Sequence, residues 1–335
     1  MPLPTVRDVH VNVPLTNIAE KWLVGDEQFV AQRVFPMVPT NQMSGLIVRY
    51  CRKDFFNLHD VRPRAPGAKS QGVGFHVNTD THFLCRNYAT RYELPDEVRA
   101  EATAPIQPER TGVQIITQRL KLKLEYLFAQ AAFVPGVWTN QVAVPIAWNN
   151  ANATPIVDVD TQRILMHLTT GFQPNTLLVN KQVFRFLRTH PTITAIYRNL
   201  TAAEPRLNVQ QVAAALDIER LIVAEAVYDE GPMQGQWDGR WCYGNHALLC
   251  YTTPTPSIEQ PSSGYMFSYT GANFTGTNIA ISQYRGEEDS RKDIFVGDIH
   301  FDTQIVEPDL GVFFPNVIAG VGIVNQSVVN IPICR

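Results

Sequence analysis

The chain has 335 residues, 45% of them hydrophobic and 18% charged, with 28 Lys and Arg against 31 Asp and Glu for a net charge of −3. That length suits one large domain or two to three smaller ones and can bury a core without disulfide or metal staples. The balanced charge argues against a dedicated nucleic-acid binder, and the hydrophobic fraction argues against disorder.

Residues 1–40 alternate short apolar runs with Pro2, Pro4, Pro14, Pro36 and Pro39, and only 17–32 has helical spacing, through Ile18, Trp22, Leu23, Phe29 and Val30. The segment cannot build a core of its own and reads as an arm; it lacks the basic and apolar regions of a signal peptide. Gly45–Phe56 and Gly74–Arg91 are β-rich runs either side of a Pro/Gly-rich tip, 62–72, and predict a long two-stranded hairpin. An isolated hairpin is marginal in water and needs something to lie on. Pro108 then opens a periodic helix to Ala132, with Val113, Ile116, Leu120, Leu124, Leu127 and Ala131 on one stripe and Arg119, Lys121, Lys123 and Glu125 off it. At about 1.5 Å per residue this rod is roughly 37 Å long.

From Asp158 the pattern becomes mixed α/β. Helices are expected near 160–169, 181–189, from Pro191, and over 209–216. Strands are expected at Thr176–Asn180, Leu221–Glu225 and His246–Tyr251. After Pro254, Pro256 and Pro261, the runs 265–269, 278–284, 293–300 and 311–318 read as strands returning to the rest of the fold. The longest apolar stretch, Val312 to Val324, is broken by Pro315 and glycines and is too short to span a bilayer.

Catalytic signatures are weak. No phosphate-loop, dinucleotide, nucleophile-elbow or HExxH motif occurs, and Gly67–Gly74 reads as a flexible tip better than as a phosphate cradle. His76, Asp80 and His82 share strand parity, which allows one metal but more simply places polar groups on an exposed face. Cys242 and His246 read as core residues. The five cysteines, Cys51, Cys85, Cys242, Cys250 and Cys334, lack CxxC spacing and read as reduced thiols. No catalytic set, metal site or cofactor is expected.

Charge is more informative. Residues 46–92 carry eight Lys and Arg against three Asp, a net of +5, including Arg49, Arg52, Lys53, Arg62, Arg64, Lys69 and Arg86. Residues 286–310 carry Glu287, Glu288, Asp289, Asp293, Asp298, Asp302, Glu307 and Asp309 against Arg291 and Lys292, a net of −6. A basic ribbon and an acidic surface in one chain can meet between neighbouring copies, a heterologous contact that builds rings or lattices. They can equally pair within one chain or meet solvent.

The order of parts resembles the Hong Kong 97-like major capsid proteins of tailed phages: arm, basic extended loop, spine helix, axial domain, return strands. Arg64-Ala-Pro-Gly67 with Tyr92–Glu101 resembles the far end of such a loop leading into the spine helix. Gly171–Val179, Val183–Leu187, His190-Pro191, Val209–Leu216 and Ala226–Tyr228 resemble the axial domain of one branch, as do Pro254–Ser257 and Pro261–Tyr265. The resemblance implies an α+β Hong Kong 97-like capsid fold divided into an arm (1–44), an extended-loop hairpin (45–94), a spine helix and peripheral domain (95–155), an axial domain (156–253) and peripheral return strands (254–335). It implies a structural protein forming hexamers and pentamers of an icosahedral virion shell around double-stranded DNA, with non-specific DNA contact. A separate scaffolding protein, a decoration protein and a portal are its further partners, and no membrane is involved. The Arg and Lys positions of the hairpin and the Glu and Asp positions of the acidic region would be inter-subunit contacts. Lys69, Glu307 and Asn316 are the ingredients of an inter-subunit crosslink known in some members, though Lys69 as a solvated contact is the simpler reading. A cellular nanocompartment shell of the same fold, and a cytosolic α+β enzyme, are the alternatives.

Overall fold

The structure is a computed structural model and describes residues 10–11, 27–59, 61–101, 107–197, 206–231, 238–254, 260–271, 279–286 and 291–319. It forms two units, residues 1–132 with 252–308 and residues 133–251 with 309–335.

The first unit opens with β1 (His10–Val11), the short helix α1 (Ala31–Val34), β2 (Met37–Thr40) and β3 (Ser44–Tyr50). Then come the single turn α2 (Arg52–Phe56), β4 (Val77–Leu84), β5 (Arg86–Pro95), α3 (Asp96–Glu101) and the long helix α4 (Pro108–Ala132). The second unit contributes β6 (Asn140–Gln141), α5 (Pro155–Thr170), β7 (Thr176–Asn180), α6 (Lys181–Leu187), α7 (Pro191–Tyr197) and α8 (Val209–Ala215). It continues with β8 (Arg220–Ala224), β9 (Val227–Tyr228), β10 (Arg240–Trp241) and β11 (Ala247–Cys250). The chain returns to the first unit with β12 (Gly264–Tyr269), β13 (Ala280–Arg285) and β14 (Lys292–Ile305). It closes in the second unit with β15 (Gly311–Phe314).

In the first unit β14 is the organising strand. It pairs antiparallel with β13 and β12, while β5 runs antiparallel to Lys292–Phe301; β13 and β5 share residues 293–298 and so lie on opposite flanks. β1 extends β13, and β2 adds parallel to β12. α4 packs on β5 and β14. Glycine allows the close approach: a Cβ on Gly112 would sit 2.2 Å from the Tyr92 ring, and one on Gly297 2.2 Å from Ile116 Cγ2.

Pro108 at the first helical turn and the buried Val113, Ile116, Leu120, Leu124 and Phe128 explain α4, which spans the residues expected. Its buried face is wider than the apolar stripe. Lys121 and Glu125, expected off that stripe, are buried, because Phe29–Val34 covers that side. The Glu125 carboxylate accepts the Val30 and Ala31 N–H groups at 2.9 Å each, and Lys121 Nζ lies 5.6 Å from the Phe29 ring centroid. The remaining arm positions of the expected 17–32 helix, up to residue 26, lie outside the described residues.

Three further expectations change. The run Gly45–Phe56 leaves the extended state after Tyr50, and Arg52–Phe56 is helical. The run Gly74–Arg91 is two strands that part at Cys85: β4 stays with β3, while β5 joins β14. The stretch 311–318, expected among the peripheral return strands, instead supplies β15 to the sheet of the second unit.

That second sheet has the order β6-β15-β11-β7-β8, with β11 antiparallel to both neighbours and β7 parallel to β8 across a helical crossover. Every residue of β7, β11 and β15 is buried, the pattern of strands covered on both faces. Leu177, Val179, Leu249 and Phe314 pack with Val159, Met166, Val183 and Ile193. Phe313, on the opposite parity, meets Phe133 and His246. Local chemistry sets the helix ends: Pro155 starts α5, Gly171 at φ 79° ends it, and Asn208 with Gln211 makes a capping box for α8.

Candidate assembly surface

Among the described residues the β3–β4 hairpin pairs with no other strand; its antiparallel register runs from Ser44 opposite Leu84 to Tyr50 opposite Val77, with a shift between Ile47 and Arg49. Its base is anchored. Ile47, Phe83 and Cys85 join Val38, Tyr265, Phe267 and Val306 in a small core, with Phe83 stacked on Phe267 at 4.3 Å between ring centroids. The Cys85 thiol donates to the Phe267 carbonyl at 3.5 Å, and burial pushes its pKa up to about 11, so it stays a neutral thiol at pH 7.

Beyond the base the hairpin holds itself together. The Cys51 N–H donates to the His76 carbonyl at 3.1 Å. Asp54 accepts the His76 N–H at 2.6 Å and contacts its Nδ1 at 3.1 Å, and that backbone hydrogen bond holds the carboxyl below the usual carboxylate range. At the tip Pro66 and Gly67 (φ 79°) form a turn closed by the Ala68 N–H on the Ala65 carbonyl. Tyr50 gathers Phe55 and Phe75 at centroid distances of 6.0 and 5.7 Å, yet Phe55 remains 69% exposed. Among the described residues, eleven large apolar side chains between Leu46 and Leu84 are exposed. A ribbon this apolar and uncovered marks an interaction surface.

The predicted basic residues do not act as one stripe. Lys53, Arg62, Arg64 and Lys69 are exposed on the outer hairpin, where Arg62 contacts the His59 ring at 2.7 Å and its carbonyl at 3.1 Å. Arg49 is half-buried and donates to the Thr81 hydroxyl. Arg52 lies 4.0 Å from Glu307 of the same chain. Arg86 is exposed but sits on β5, in the main sheet rather than on the hairpin.

The acidic residues are engaged at home. Asp302 accepts the Leu84 N–H at 2.8 Å, tying the hairpin base, and Asp298 accepts from Asn87 at 3.3 Å. Asp293 is buried between Arg99 and Arg285; Arg285 also binds Asp96, and Arg99 reaches Glu109 at 3.0 Å. Burial pushes the Asp293 carboxyl up, but the two guanidiniums outweigh it and hold it below the usual range. Arg285 depresses Asp96 in the same way, and Lys292, 2.6 Å from Glu93, depresses that carboxyl. Glu287, Glu288 and Asp289 lie outside the described residues.

The other sequence candidates resolve into structure. His76 precedes β4 and binds Asp54, while Asp80 and His82 are exposed. His246 accepts the Asn316 N–H at 3.0 Å beside Phe313, and burial lowers its pKa. Cys51 is exposed, Cys242 half-buried, and Cys85 and Cys250 buried; Cys334 is outside the described residues. Among the described residues no His, Cys, Asp or Glu side chains gather as a metal site, and no helix is long and apolar enough to cross a membrane. Sequence reading missed the aromatic cluster of the hairpin. Its signal was present: Phe55, Phe56 and Phe75 flank a Pro/Gly-rich tip that would carry polar residues if it met only water.

No protein-family model and no curated protein matches the sequence. Solved structures match the fold. A phage-related protein from Bordetella bronchiseptica RB50 is 18% identical, with a TM-score of 0.71 over 92% of this chain and 98% of its own. A virus-like particle from Pyrococcus furiosus is 10% identical, with a TM-score of 0.54 over 90% and 97%. The capsid of cyanophage P-SCSP1u is 9% identical, with a TM-score of 0.53 over 84% and 86%. The chain has a Hong Kong 97-like capsid fold, mixed α and β. It shares that fold with the phage-related, virus-like-particle and phage-capsid structures just named.

Proposed function

We propose that the protein is a major capsid subunit whose copies form hexamers and pentamers of an icosahedral virion shell around double-stranded DNA, assembled in the host cytoplasm. The observation that carries the reading is the hairpin: a ribbon anchored at its base, with exposed aromatics and Arg62, Arg64 and Lys69 at its far end. Such a ribbon is incomplete in a single copy, and a neighbouring subunit completes it. The second unit, with residues 156–253 as its main part, forms the centre of each ring; the spine helix and the sheet around β14 form the periphery. The role is structural, with no chemistry assigned to any side chain. DNA contact is diffuse and non-specific, and any scaffolding, decoration or portal protein is a separate chain.

The contact made by the hairpin is apolar as well as ionic. Asp293, Asp302 and Glu307 are engaged within their own chain, so the basic tip has fewer acidic partners than the charge count offers. Exposed ion pairs are worth about 0–1 kcal/mol each and steer encounter more than they hold it.

The test is negative-stain electron microscopy with sedimentation of the protein expressed alone. Closed polyhedral shells, or rings of five and six, are expected; a uniform dimer or tetramer that an added scaffold does not convert overturns the reading. Nuclease-protected DNA inside shells from infected cells separates a virion from a compartment that stores protein. The triple variant Arg62→Glu, Arg64→Glu, Lys69→Glu is expected to stay folded and fail to close shells.

A further inference from the structure

The turn that follows β15 is fastened to a histidine. Pro315 and Asn316 form that turn, and Val317 and Ile318 just beyond it enter the core of the second unit. Asn316 sits in the left-handed region at φ 46°, a conformation that asparagine tolerates better than most residues. Its N–H donates to Nδ1 of His246 at 3.0 Å, and the Val317 N–H donates to the Asn245 carbonyl at 2.9 Å. Both partners lie immediately before β11, so the turn is held to the edge of the second sheet.

A backbone N–H can only donate, so Nδ1 of His246 offers a lone pair and the ring is neutral, with its proton on Nε2. Protonation puts a second N–H at Nδ1, pointing at the Asn316 N–H. The hydrogen bond is then lost and two donors face each other. The ring is half-buried, with its centroid 5.2 Å from that of Phe313. Gly244 leaves it room, since a Cβ there would lie 3.1 Å from Cδ2 and 3.3 Å from Nε2. Neither the segment that carries the ring, 241–250, nor β15 with its following turn, 311–319, contains a charged residue, so neither offers a carboxylate to an imidazolium. The titratable groups on them, Cys242, Tyr243 and Cys250, are of types that carry no charge in acid.

We propose that His246 is an acid-sensitive latch: as the neutral ring it holds the Pro315–Asn316 turn to the second sheet, and as the imidazolium it releases that turn. Burial disfavours the charged ring and lowers its pKa. The contribution of the latch is therefore complete above the ordinary histidine range, about 6.5, and is lost as pH falls below it towards the lower folded value. The inference concerns one subunit alone and holds whether or not copies form shells.

Hydrogen–deuterium exchange of the full chain, followed by mass spectrometry from about pH 8 to about pH 4.5 and corrected for the intrinsic pH dependence of exchange, tests it. The wild-type peptide holding Asn316 and Val317 is expected to lose about fivefold or more in protection below about pH 6.5, while a peptide from β7 keeps its own. His246→Asn places an amide oxygen, which does not titrate, where Nδ1 stands, and its protection is expected to stay flat across the series. His246→Ala, with no acceptor, is expected to exchange at every pH as fast as the wild type does in acid. Unchanged protection in the wild type, an equal acid loss in His246→Asn, or a parallel loss in β7 overturns the proposal.

Discussion

The hairpin of the first unit and the sheet of the second use similar residues to opposite ends. β7, β11 and β15 are runs of Leu, Val and Phe with no exposed position, covered on both faces by their own chain. β3, β4 and the turn between them hold Leu, Val, Tyr and Phe as well, yet most of those side chains stay in water. The contrast separates apolar area that stabilises one copy from apolar area that, in the proposed shell, is left for a neighbouring copy. Apolar area buried within one copy adds to its folding stability, whereas apolar area left open adds only when a second copy arrives.

The strongest way to probe the contrast is to damage the closed side. Phe313→Ala removes a fully buried ring packed on Phe133 and is expected to cost about 3–5 kcal/mol in urea unfolding of the isolated subunit. Glu125→Ala strands the buried Val30 and Ala31 N–H groups, and an expected loss of about 2–4 kcal/mol would appear as early exchange of the amides of α1. Gly297→Ala drives a methyl group into Ile116, and an expected cost of about 1–3 kcal/mol would show in thermal melts.

Acid acts on the first unit more gently. Asp293, Asp96 and Glu93 ionise more readily folded than unfolded, so their contribution is complete above the ordinary carboxylate range. It is lost as pH falls below about 4 towards the depressed folded values. Asp293→Asn is expected to flatten the stability profile as pH falls through and below the ordinary carboxylate range, about 4. The smallest effect on stability falls on the open side. Phe55→Ala with Phe75→Ala is expected to move subunit unfolding by within about 0.5 kcal/mol, yet abolish shells in electron micrographs. A large loss of subunit stability from that pair would erase the distinction drawn between the two regions.

Elements that report locally were readable in the sequence. Pro108 and the spacing of Val113, Ile116, Leu120 and Leu124 mark the helix on which the first unit rests, and Thr176–Asn180 is a strand in both sequence and structure. Features that depend on a distant partner were not. Glu125 looks like a solvated helix residue until Val30, 95 positions earlier, presents its N–H. The parting at Cys85 is invisible because both sides are extended and differ only in which strand they pair with. Charge counting misled for the same reason, since a sum over residues 46–92 cannot tell Arg86 on the main sheet from Arg64 at the tip.

The position of β14 sets the timing of subunit manufacture. The strand that aligns β5, β12 and β13 begins only at residue 292, about two hundred residues after β5. At a synthesis rate of about 5–20 residues per second, that gap lasts on the order of 10–40 s. For most of that interval the hairpin already exists as sequence, but its base has neither Phe267 nor Val306 to pack against. A nascent chain therefore lacks a seated hairpin until β12 and β14 have been made. The late central strand thus makes the base of the hairpin one of the last parts of the first unit to be seated as the chain is made.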